Sequence, residues 1–380
     1  MDQLELKKGA STATDPTVAA DELFEQIYDP EAALTIIYCA STYDLDALGS
    51  ALHARFGDSP MIGATTAGEI TPLGYIDGSL TGVSIKGAGL RSASVRIDDL
   101  GSFQLTDGDC AARRALAELG VDPAEDGSSM FGFLLVDGLA MQEEMLVSSL
   151  YRNLGETQLF GGSAGDGTTF GSTWIYHEGR FRTDSAVFTL VHSDYPFRVF
   201  KTEHFVPAGE KMLVTDGIPA KRIVTEINGE PAAHEYARAI GIGVDELTPT
   251  VFSTHPVVVR VGGKNYVRSI YKADDDGSLT FFCAIDIGIV LTLAEGVDIV
   301  ENLREAFAAL RSEIGRPGLV LGCDCILRNL ELKEHGLIDE VSEVMIENNV
   351  IGFSTYGEQF NGMHVNQTFT GVAIGMGSAA

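Results

Sequence analysis

Short apolar runs recur along the chain, and the segments between them carry helical spacing. The runs at residues 33–40, 130–138 and 318–323 are mostly apolar, which is typical of strands covered on both faces. Segment 44–56 places leucine and phenylalanine three and four positions apart, so it predicts a helix with one apolar face. Segment 140–155 predicts another helix of this kind. The alternation of strand and helix predicts an α/β fold.

One unit of this pattern occurs twice without a gap. Residues 61–85 align with residues 350–374 at a constant offset of 289, and nine of 25 positions are identical. The stretch FGGSAGD at 160–166 resembles a third copy but needs a one-residue gap. Repeated units share one packing solution. We therefore predict two pseudo-duplicated halves of β-sheet with packed helices, facing each other around a pseudo-twofold and related by an internal strand-helix-strand-loop-strand repeat.

The signal for a domain boundary is soft and lies near residues 193–222, where the second strand-helix unit closes. We predict an N-terminal extension at 1–29, an N-terminal domain at 30–220 and a C-terminal domain at 221–380. In the second domain, Gly-Gly and Asp-Gly turns join three predicted strands. An amphipathic helix is expected at 297–315.

The charge balance excludes two classes of partner. The chain has 54 acidic and 26 basic residues, a formal net charge of −28 at pH 7. Such a surface repels phosphate backbones and anionic lipids, so we expect neither a nucleic-acid partner nor a membrane partner. The plain interpretation of the acidity is solubility or adaptation to salt.

Five cysteines form an odd set without the pattern of a small disulfide framework. Cys323 and Cys325 stand in a CDC pair, but no second pair or nearby histidine completes a tetrahedral metal site, so we expect buried small residues. No apolar run reaches 18 residues, and the first 16 residues lack the apolar stretch of a signal peptide. We expect a cytoplasmic protein.

Glycine-rich turns follow the strands of the repeat. A strand that runs into such a turn can expose backbone N–H groups, which suit a carboxylate or phosphate ligand. The candidate ligand-binding residues in these turns are Thr66, Gly162, Ser163, Gly357 and Glu358. In the alternative interpretation the glycines only allow a tight strand exit, and Glu69, Asp166 and Glu358 cap backbone donors.

The sequence GGSAG at 161–165 matches the Gly-x-Ser-x-Gly pattern of a hydrolase nucleophile, Ser163. That motif requires a helix immediately after the serine, and the residues that follow have little helical character. The other copies carry threonines here. A serine hydrolase is therefore the third and weakest hypothesis.

The last repeat differs from the first in its loop. At offset 289, His364 replaces Tyr75 and Asn366 replaces Asp77, while the flanking framework is kept. A repeat that keeps its scaffold and varies its loop favours function in the loop. We therefore take His364 and Asn366 as candidate ligand-binding residues.

Arg268 lies inside the apolar strand sequence YVRSI. By the period of two, Tyr266 and Arg268 share one face of that strand. The arginine is either an edge cation or a clamp for a ligand carboxylate, whose geometry its planar fork matches. Both residues are candidate ligand contacts.

The stretches GATTAGE, GGSAGDG, YVRSI and the terminal YGEQFNGMHVNQTFTGVAIG together carry a family resemblance. On these residues the chain resembles the FIST family of bacterial sensory proteins. The similarity spans a FIST N region over about 30–220 and a FIST C region over about 221–375. It implies a stand-alone cytoplasmic small-ligand sensor that is not an enzyme, forms a possible homodimer, and regulates a partner histidine kinase or a cyclic-di-GMP enzyme.

Some members of the family resemble haem-based nitric oxide sensors. That resemblance implies a haem b bound through a histidine. The candidate axial ligands are His364 and His255, with Arg268 near a propionate. The competing hypothesis is a pocket for an amino acid or a similar carboxylate without haem, in which Arg268 and the glycine turns hold the carboxylate and His364 and Asn366 orient polar groups.

Overall fold

Helices and strands alternate along residues 4–377, the part of the chain that this computed structural model describes. Residues 1–3 of the predicted extension and residues 378–380 of the predicted C-terminal domain lie outside the described residues. The first unit contains β1 (Glu5–Ser11), α1 (Pro16–Ile27), β2 (Leu34–Ala40), α2 (Leu45–Phe56), β3 (Met61–Thr66), β4 (Glu69–Thr71), β5 (Gly74–Ile76) and β6 (Leu80–Lys86). The second unit contains β7 (Leu90–Asp98), α3 (Leu105–Leu119), α4 (Pro123–Asp126), β8 (Met130–Val136), α5 (Glu143–Tyr151), β9 (Gln158–Ser163), β10 (Ile175–His177), β11 (Arg180–Arg182) and β12 (Ser185–Ser193).

A third unit is interrupted by an inserted sheet. It begins with β13 (Phe197–Glu203) and resumes with α8 (Ile299–Ile314), β22 (Pro317–Cys325), α9 (Ile326–Glu334), α10 (Ile338–Glu347), β23 (Val350–Thr355), β24 (Glu358–Phe360), β25 (Met363–Val365) and β26 (Thr368–Gly375). The insertion, here called the fourth sheet, contains β14 (Phe205–Ile218), β15 (Ile223–Ile227), β16 (Glu230–Pro231), α6 (Ala232–Ile240), α7 (Pro249–Thr254), β17 (Val257–Val261), β18 (Lys264–Arg268), β19 (Ile270–Ala273), β20 (Leu279–Phe281) and β21 (Val290–Gly296).

The three units share one topology. In each, two parallel strands lie side by side, a closing strand pairs antiparallel to the first of them, and an outer strand flanks the closing strand. The parallel pairs are β2 with β3, β8 with β9, and β22 with β23. The mixed α/β class and the internal repeat are therefore confirmed. The 160–166 stretch is the third copy, so the repeat forms a set of three.

Each unit gives its hairpin to the sheet of another unit. The hairpin β10–β11 pairs with β3, so the second unit completes the sheet of the first. The hairpin β24–β25 pairs with β9, and the hairpin β4–β5 pairs with β23. The exchange is cyclic because each unit both gives and receives one hairpin. None of the three sheets is completed by residues of its own unit alone.

The three sheets share one apolar core. Their inner faces meet in a cluster that includes Ile62, Phe133, Phe160 and Leu321, each fully or almost fully buried. Tyr38 of the first unit stacks on Phe353 of the third, with ring centroids 4.5 Å apart. Helices cover the outer faces, so the parallel strands are apolar on both sides, as their sequences predict.

A repeated glycine permits close contact between the parallel strands. A Cβ at Gly63 would lie 2.6 Å from the carbonyl oxygen of Ile37 on the neighbouring strand. At Gly161 and Gly352 it would lie 2.2 Å and 2.0 Å from the corresponding oxygens of Leu134 and Gly322. Any side chain would therefore push the paired strands apart.

The predicted elements are found with small shifts. The helix expected at 44–56 is α2, and the helix expected at 297–315 is α8. The helix expected at 140–155 is shorter in the structure, where α5 covers only Glu143–Tyr151. The expected division at 220/221 falls at a turn between β14 and β15, which pair within the fourth sheet. The division into two domains stays a prediction.

Two glutamates close the turns after β3 and β23 in the same way. Glu358 accepts hydrogen bonds from the hydroxyl of Thr355 and from the backbone N–H (3.2 Å) and hydroxyl (2.8 Å) of Thr368. Glu69 accepts from the hydroxyl of Thr66 and from the N–H (2.8 Å) and hydroxyl (3.0 Å) of Ser79. Burial raises the pKa of Glu69 to about 7 and that of Glu358 to about 8.

These raised pKa values predict a stability that falls as pH rises. An unfolded glutamate loses its proton near its ordinary pKa of about 4.3, whereas folded Glu358 keeps its proton until about pH 8. Between these values the folded state binds more protons, so each group lowers the free energy of unfolding by about 1.4 kcal/mol per pH unit. We expect Glu358→Gln to flatten the decline, measured by urea denaturation between about pH 5 and pH 8.

The control is Glu305→Gln, which removes an exposed carboxylate on α8. This variant should keep the wild-type slope of stability against pH. Equal slopes for Glu358→Gln and wild type would contradict the assignment of a buried, protonated carboxyl to residue 358.

Candidate functional site

The hairpin β24–β25 carries His364 to the carboxyl ends of two parallel strands in the second unit. Ser163 ends β9, and α5 begins soon after β8 with Glu143 and Glu144. Crevices at the carboxyl ends of parallel strands are where open α/β sheets usually bind ligands. His364 is 4% exposed. Because His364 belongs to the third unit and Ser163 to the second, the site is assembled from two units.

The amide of Gln359 fixes the tautomer of His364. Nε2 of Gln359 donates to Nδ1 of His364 (3.4 Å) and to the hydroxyl of Ser163 (3.1 Å). Burial lowers the pKa of His364, so its imidazole is neutral at pH 7. Since Nδ1 accepts, Nε2 carries the proton. That N–H donor has no acceptor among the described residues.

Several other buried polar atoms near His364 also lack partners. An added Cβ on Gly357 would lie 2.7 Å from Nε2 of His364 and 2.9 Å from Nδ2 of Asn366, so the two nitrogens surround one point. Both amide atoms of Asn366 and Oε1 of Gln359 are buried without a hydrogen bond among residues 4–377. Buried polar groups are nearly always hydrogen-bonded, so such a cluster indicates a missing partner. We call His364, Asn366, Gln359 and Gly357 the polar cluster.

A buried ionic contact joins the second unit to the fourth sheet beside the polar cluster. Nη2 of Arg222 contacts Glu143 (2.6 Å) and Glu144 (2.5 Å), and Nη1 donates to the carbonyl oxygen of Phe282 (2.5 Å). The N–H of Ala284 donates to Glu144 (2.6 Å). Arg222 has a φ of 58°, a left-handed conformation that is uncommon outside glycine. We call this set the Arg222 clasp.

Arg268 ends β18 next to this region. β18 packs against β25, which carries His364. After burial, the positive charge of Arg268 is one of the influences that lower the pKa of His364. In the described part of the chain, Arg268 forms no side-chain hydrogen bond or ion pair. Tyr266 shares its face of the strand and is half-buried, with Nζ of Lys201 5.7 Å from its ring centroid. Ser269, next to Arg268, has a buried hydroxyl without a partner.

The equivalent position in the first hairpin is fully bonded. Tyr75 pairs with Ile70 in β4–β5 as His364 pairs with Gln359 in β24–β25. Its hydroxyl donates to Asp324 (2.6 Å), which accepts from Nε of the fully buried Arg328 (2.7 Å). Asp324 and Arg328 of the third unit therefore bond this position, although Nη2 of Arg328 and Nδ2 of Asn329 are buried there without a partner among the described residues. At the corresponding position of the second unit, the ring nitrogen Nε2 of His364 itself has no partner in that range.

The other predicted ligand contacts lie in the turns. Gly162 and Ser163 adjoin the polar cluster, since the N–H of Ser163 donates to the carbonyl oxygen of Gly357 (2.8 Å). Both carboxylate oxygens of Glu358 are bonded inside its own turn. Thr66 lies in the turn of the first unit, where it bonds Glu69. The structure therefore brings Gly162, Ser163, Gly357 and Glu358 together with His364, and places Thr66 in a different turn.

The geometry around Ser163 lacks the contact that a nucleophile needs. The serine is fully buried, its hydroxyl accepts from Gln359, and a loop rather than a helix follows it. An acyl-transfer serine requires a general base within hydrogen-bond reach. The amide of Gln359 cannot act as that base.

The environment of His255 differs from that of the polar cluster. It is exposed at the end of α7, with Nδ1 bonded to the hydroxyl of Thr254 (2.9 Å). Cys323 and Cys325 are buried, and burial raises the pKa of both thiols. Across residues 4–377, no group of three or more histidine, cysteine or acidic side chains is placed to hold a metal ion.

Sequence reasoning missed the Arg222 clasp and Gln359. Arg222 lies in the polar stretch AKRIVTE, which gives no sign of burial, and its acidic partners are 78 and 79 residues away in the chain. Gln359 could have been found, because it faces His364 across a two-stranded hairpin.

Within the described range, no helix is long and apolar enough to cross a membrane.

The Arg222 clasp predicts a large loss of stability for Arg222→Met. The change leaves Glu143, which is 2% exposed, as a buried charge without its partner. Removing one member of a buried ion pair costs about 3–5 kcal/mol, so the urea midpoint should fall sharply. Adding Glu143→Gln to this variant should restore part of the loss.

Arg55→Met is the matched control. Arg55 pairs with Asp21 through Nε at 2.6 Å, but the two side chains are 44% and 41% exposed. Exposed pairs contribute little, so this variant should unfold near the wild-type midpoint. Similar midpoints for the two methionine variants would show that the Arg222 clasp does not stabilise the fold.

Comparison with known proteins finds a distant curated relative, and the solved structures that it finds include two of cyanuric acid hydrolases. An uncharacterized protein of Methanocaldococcus jannaschii is 23% identical over 278 residues, which is 64% of this chain and 54% of that protein. The chain therefore spans about half the length of this relative.

A cyanuric acid hydrolase from A. caulinodans matches with a TM-score of 0.39 and 7% identity, over 98% of this chain and 99% of that chain. A second cyanuric acid hydrolase structure, described as an innovation by structural concatenation, has a TM-score of 0.33 and 8% identity, over 98% of this chain and 100% of that chain. At these TM-scores the two structures carry no argument about this chain.

Family models match most of the sequence. The FIST N domain matches residues 33–230, and the FIST C domain matches residues 232–361. Together they cover the fourth sheet and most of the three repeated units, and they leave out β1, α1, β25 and β26. The chain belongs to the FIST family of signal-transduction sensors.

Proposed function

We propose that this sensor detects a small zwitterion, an α-amino acid or a close analogue, at the polar cluster. The observation that carries the proposal is the set of buried, unpartnered atoms on His364, Asn366 and Gln359 beside the unpaired cation of Arg268. Unsatisfied buried groups are costly, and a ligand that pairs them recovers that cost.

The donors and acceptors match the two ends of an amino acid. The Nε2–H of His364, Nδ2 of Asn366 and the guanidinium of Arg268 are donors, which suit a carboxylate. Oε1 of Gln359 and Oδ1 of Asn366 are acceptors, and Glu143 and Glu144 supply negative charge nearby, which suits an ammonium group. A ligand with only one of these charges would leave part of the set unpaired.

Haem does not fit the residues at His364. A haem site needs an apolar cleft and a histidine that opens into it. His364 is 4% exposed, and Gly357 and Asn366 lie against the Nε2 edge of its ring. The apolar cavity that Arg268 lines has no histidine among its lining residues. His255 is exposed and already bonded through Nδ1. We therefore derive no signalling step through haem or nitric oxide.

The Arg222 clasp offers a route from ligand to output. Glu144 binds the fourth sheet through Arg222 and Ala284, and it lies near His364. A ligand ammonium that attracts Glu144 would weaken its contact with Arg222 and shift the fourth sheet relative to the second unit. A ligand that interacts differently with two arrangements changes their populations. A partner histidine kinase or cyclic-di-GMP enzyme would respond to that shift, in keeping with the family.

The proposal predicts stabilisation by α-amino acids. In a thermal-shift screen we expect at least one α-amino acid to raise the melting temperature, while its N-acetyl and amide derivatives do not, because each lacks one charge. Asn366→Ala should weaken binding at least about tenfold, since it removes hydrogen bonds to charged groups. Titration calorimetry measures this change.

Tyr75→Phe is the control for this experiment. It removes one hydroxyl at the equivalent position of the first hairpin, where Asp324 accepts from that hydroxyl and from Arg328. It should leave ligand affinity unchanged. If no amino acid binds, or if Asn366→Ala binds as wild type does, the proposed ligand site is wrong.

Haem binding through either histidine can be tested by absorption spectroscopy. Hemin added to the purified protein should give the same absorption spectrum near the Soret band for wild type, His364→Ala and His255→Ala, because neither histidine is placed to ligate iron. A sharp Soret band that one of these substitutions removes would contradict this expectation and favour the haem hypothesis.

A further inference from the structure

A large cavity opens on the fourth sheet, and its walls are mostly apolar. Its volume is about 1040 Å³, which is at the upper end for small-molecule sites. Val258, Val259, Val261 and Ile289 are among its lining residues. Val261 is 55% exposed, so part of this apolar surface faces solvent.

Cations surround this cavity in a chain that is otherwise acidic. Lys211, Arg260 and Arg268 line it, against one carboxylate, Asp286. None of the three cations has a side-chain hydrogen bond or ion pair within residues 4–377. The whole chain has 54 acidic residues for 26 cations, so most cations have a carboxylate available. Three unpaired cations at one apolar cavity therefore indicate a binding site for an anion.

We propose that this cavity binds a small amphipathic anion, a carboxylate with an extended apolar body. The apolar walls would take up the body, and burial of apolar surface would supply most of the affinity. Lys211 and Arg260 would face the carboxylate at the rim, where both side chains are exposed. Arg268 is less exposed, and it ends β18, which packs against β25 of the polar cluster.

This site is separate from the proposed amino-acid site. Lys211 and Arg260 do not belong to the polar cluster, and its unpartnered atoms are on other residues. The polar cluster suits a compact zwitterion, whereas the cavity has apolar walls and an excess of positive charge. Arg268 is the residue that both sites share, so it is left unchanged in the test.

The test compares decanoate with decanamide, which has the same length but no charge. Titration calorimetry should show decanoate binding at least about tenfold more tightly than decanamide and than acetate. The double variant Lys211→Gln/Arg260→Gln should reduce decanoate affinity at least about tenfold and leave decanamide affinity unchanged. Both substituted side chains are exposed, so the fold should be kept, which circular dichroism checks.

Arg316→Gln is the matched control, because Arg316 is exposed and does not line the cavity. It changes the net charge in the same direction and should bind decanoate as wild type does. Asn366→Ala should also keep decanoate binding, which separates this result from any failure of the amino-acid site. Equal binding of decanoate and decanamide, or unchanged decanoate binding by the double variant, would overturn the proposal. Loss of the cavity to self-association, seen as a dimer in ultracentrifugation that excludes decanoate, would overturn it too.

Discussion

The cyclic exchange of hairpins is the constraint on which the rest of the structure depends. Each of the three repeated sheets ends in a strand pair that belongs to another unit, so backbone hydrogen bonds join the units to one another. A sheet edge without its hairpin would expose a row of unpaired N–H and C=O groups. The shared apolar core then forms where the three inner faces meet.

The same exchange creates the candidate site. Because the third unit places His364 at the strand ends of the second, a difference between hairpins becomes a difference between crevices. Tyr75 hydrogen-bonds Asp324, which also accepts from Arg328, whereas Nε2 of His364 has no partner among the described residues. Internal duplication thus supplies one scaffold three times, and the donated hairpin decides which polar groups meet at the strand ends.

The strands and the repeat could be predicted from the sequence for physical reasons, and the importance of His364 stays a prediction. Buried parallel strands must be apolar throughout, and the repeat keeps glycines such as Gly63 and Gly352 because the strands touch there. The features that the sequence did not predict depend on contacts between distant segments. Arg222 looks like a surface residue until the fold places it against Glu143, and the hairpin exchange leaves no periodic signal in any one segment. The gapless alignment shows two copies, whereas the structure has three, because the middle copy aligns only with a one-residue gap in its turn.

The hairpin exchange also orders how the chain can assemble during synthesis. The sheet of the first unit needs β10–β11, about one hundred residues after β3, but the sheet of the second needs β24–β25, about two hundred residues after β9. The first hairpin, made early, must wait for β23 to appear before it has a strand to pair with. Such distant pairings are slow to form, and the ring closes only when the final strands are available. Until then the nascent chain carries an early hairpin that lacks the strand it pairs with in the folded protein.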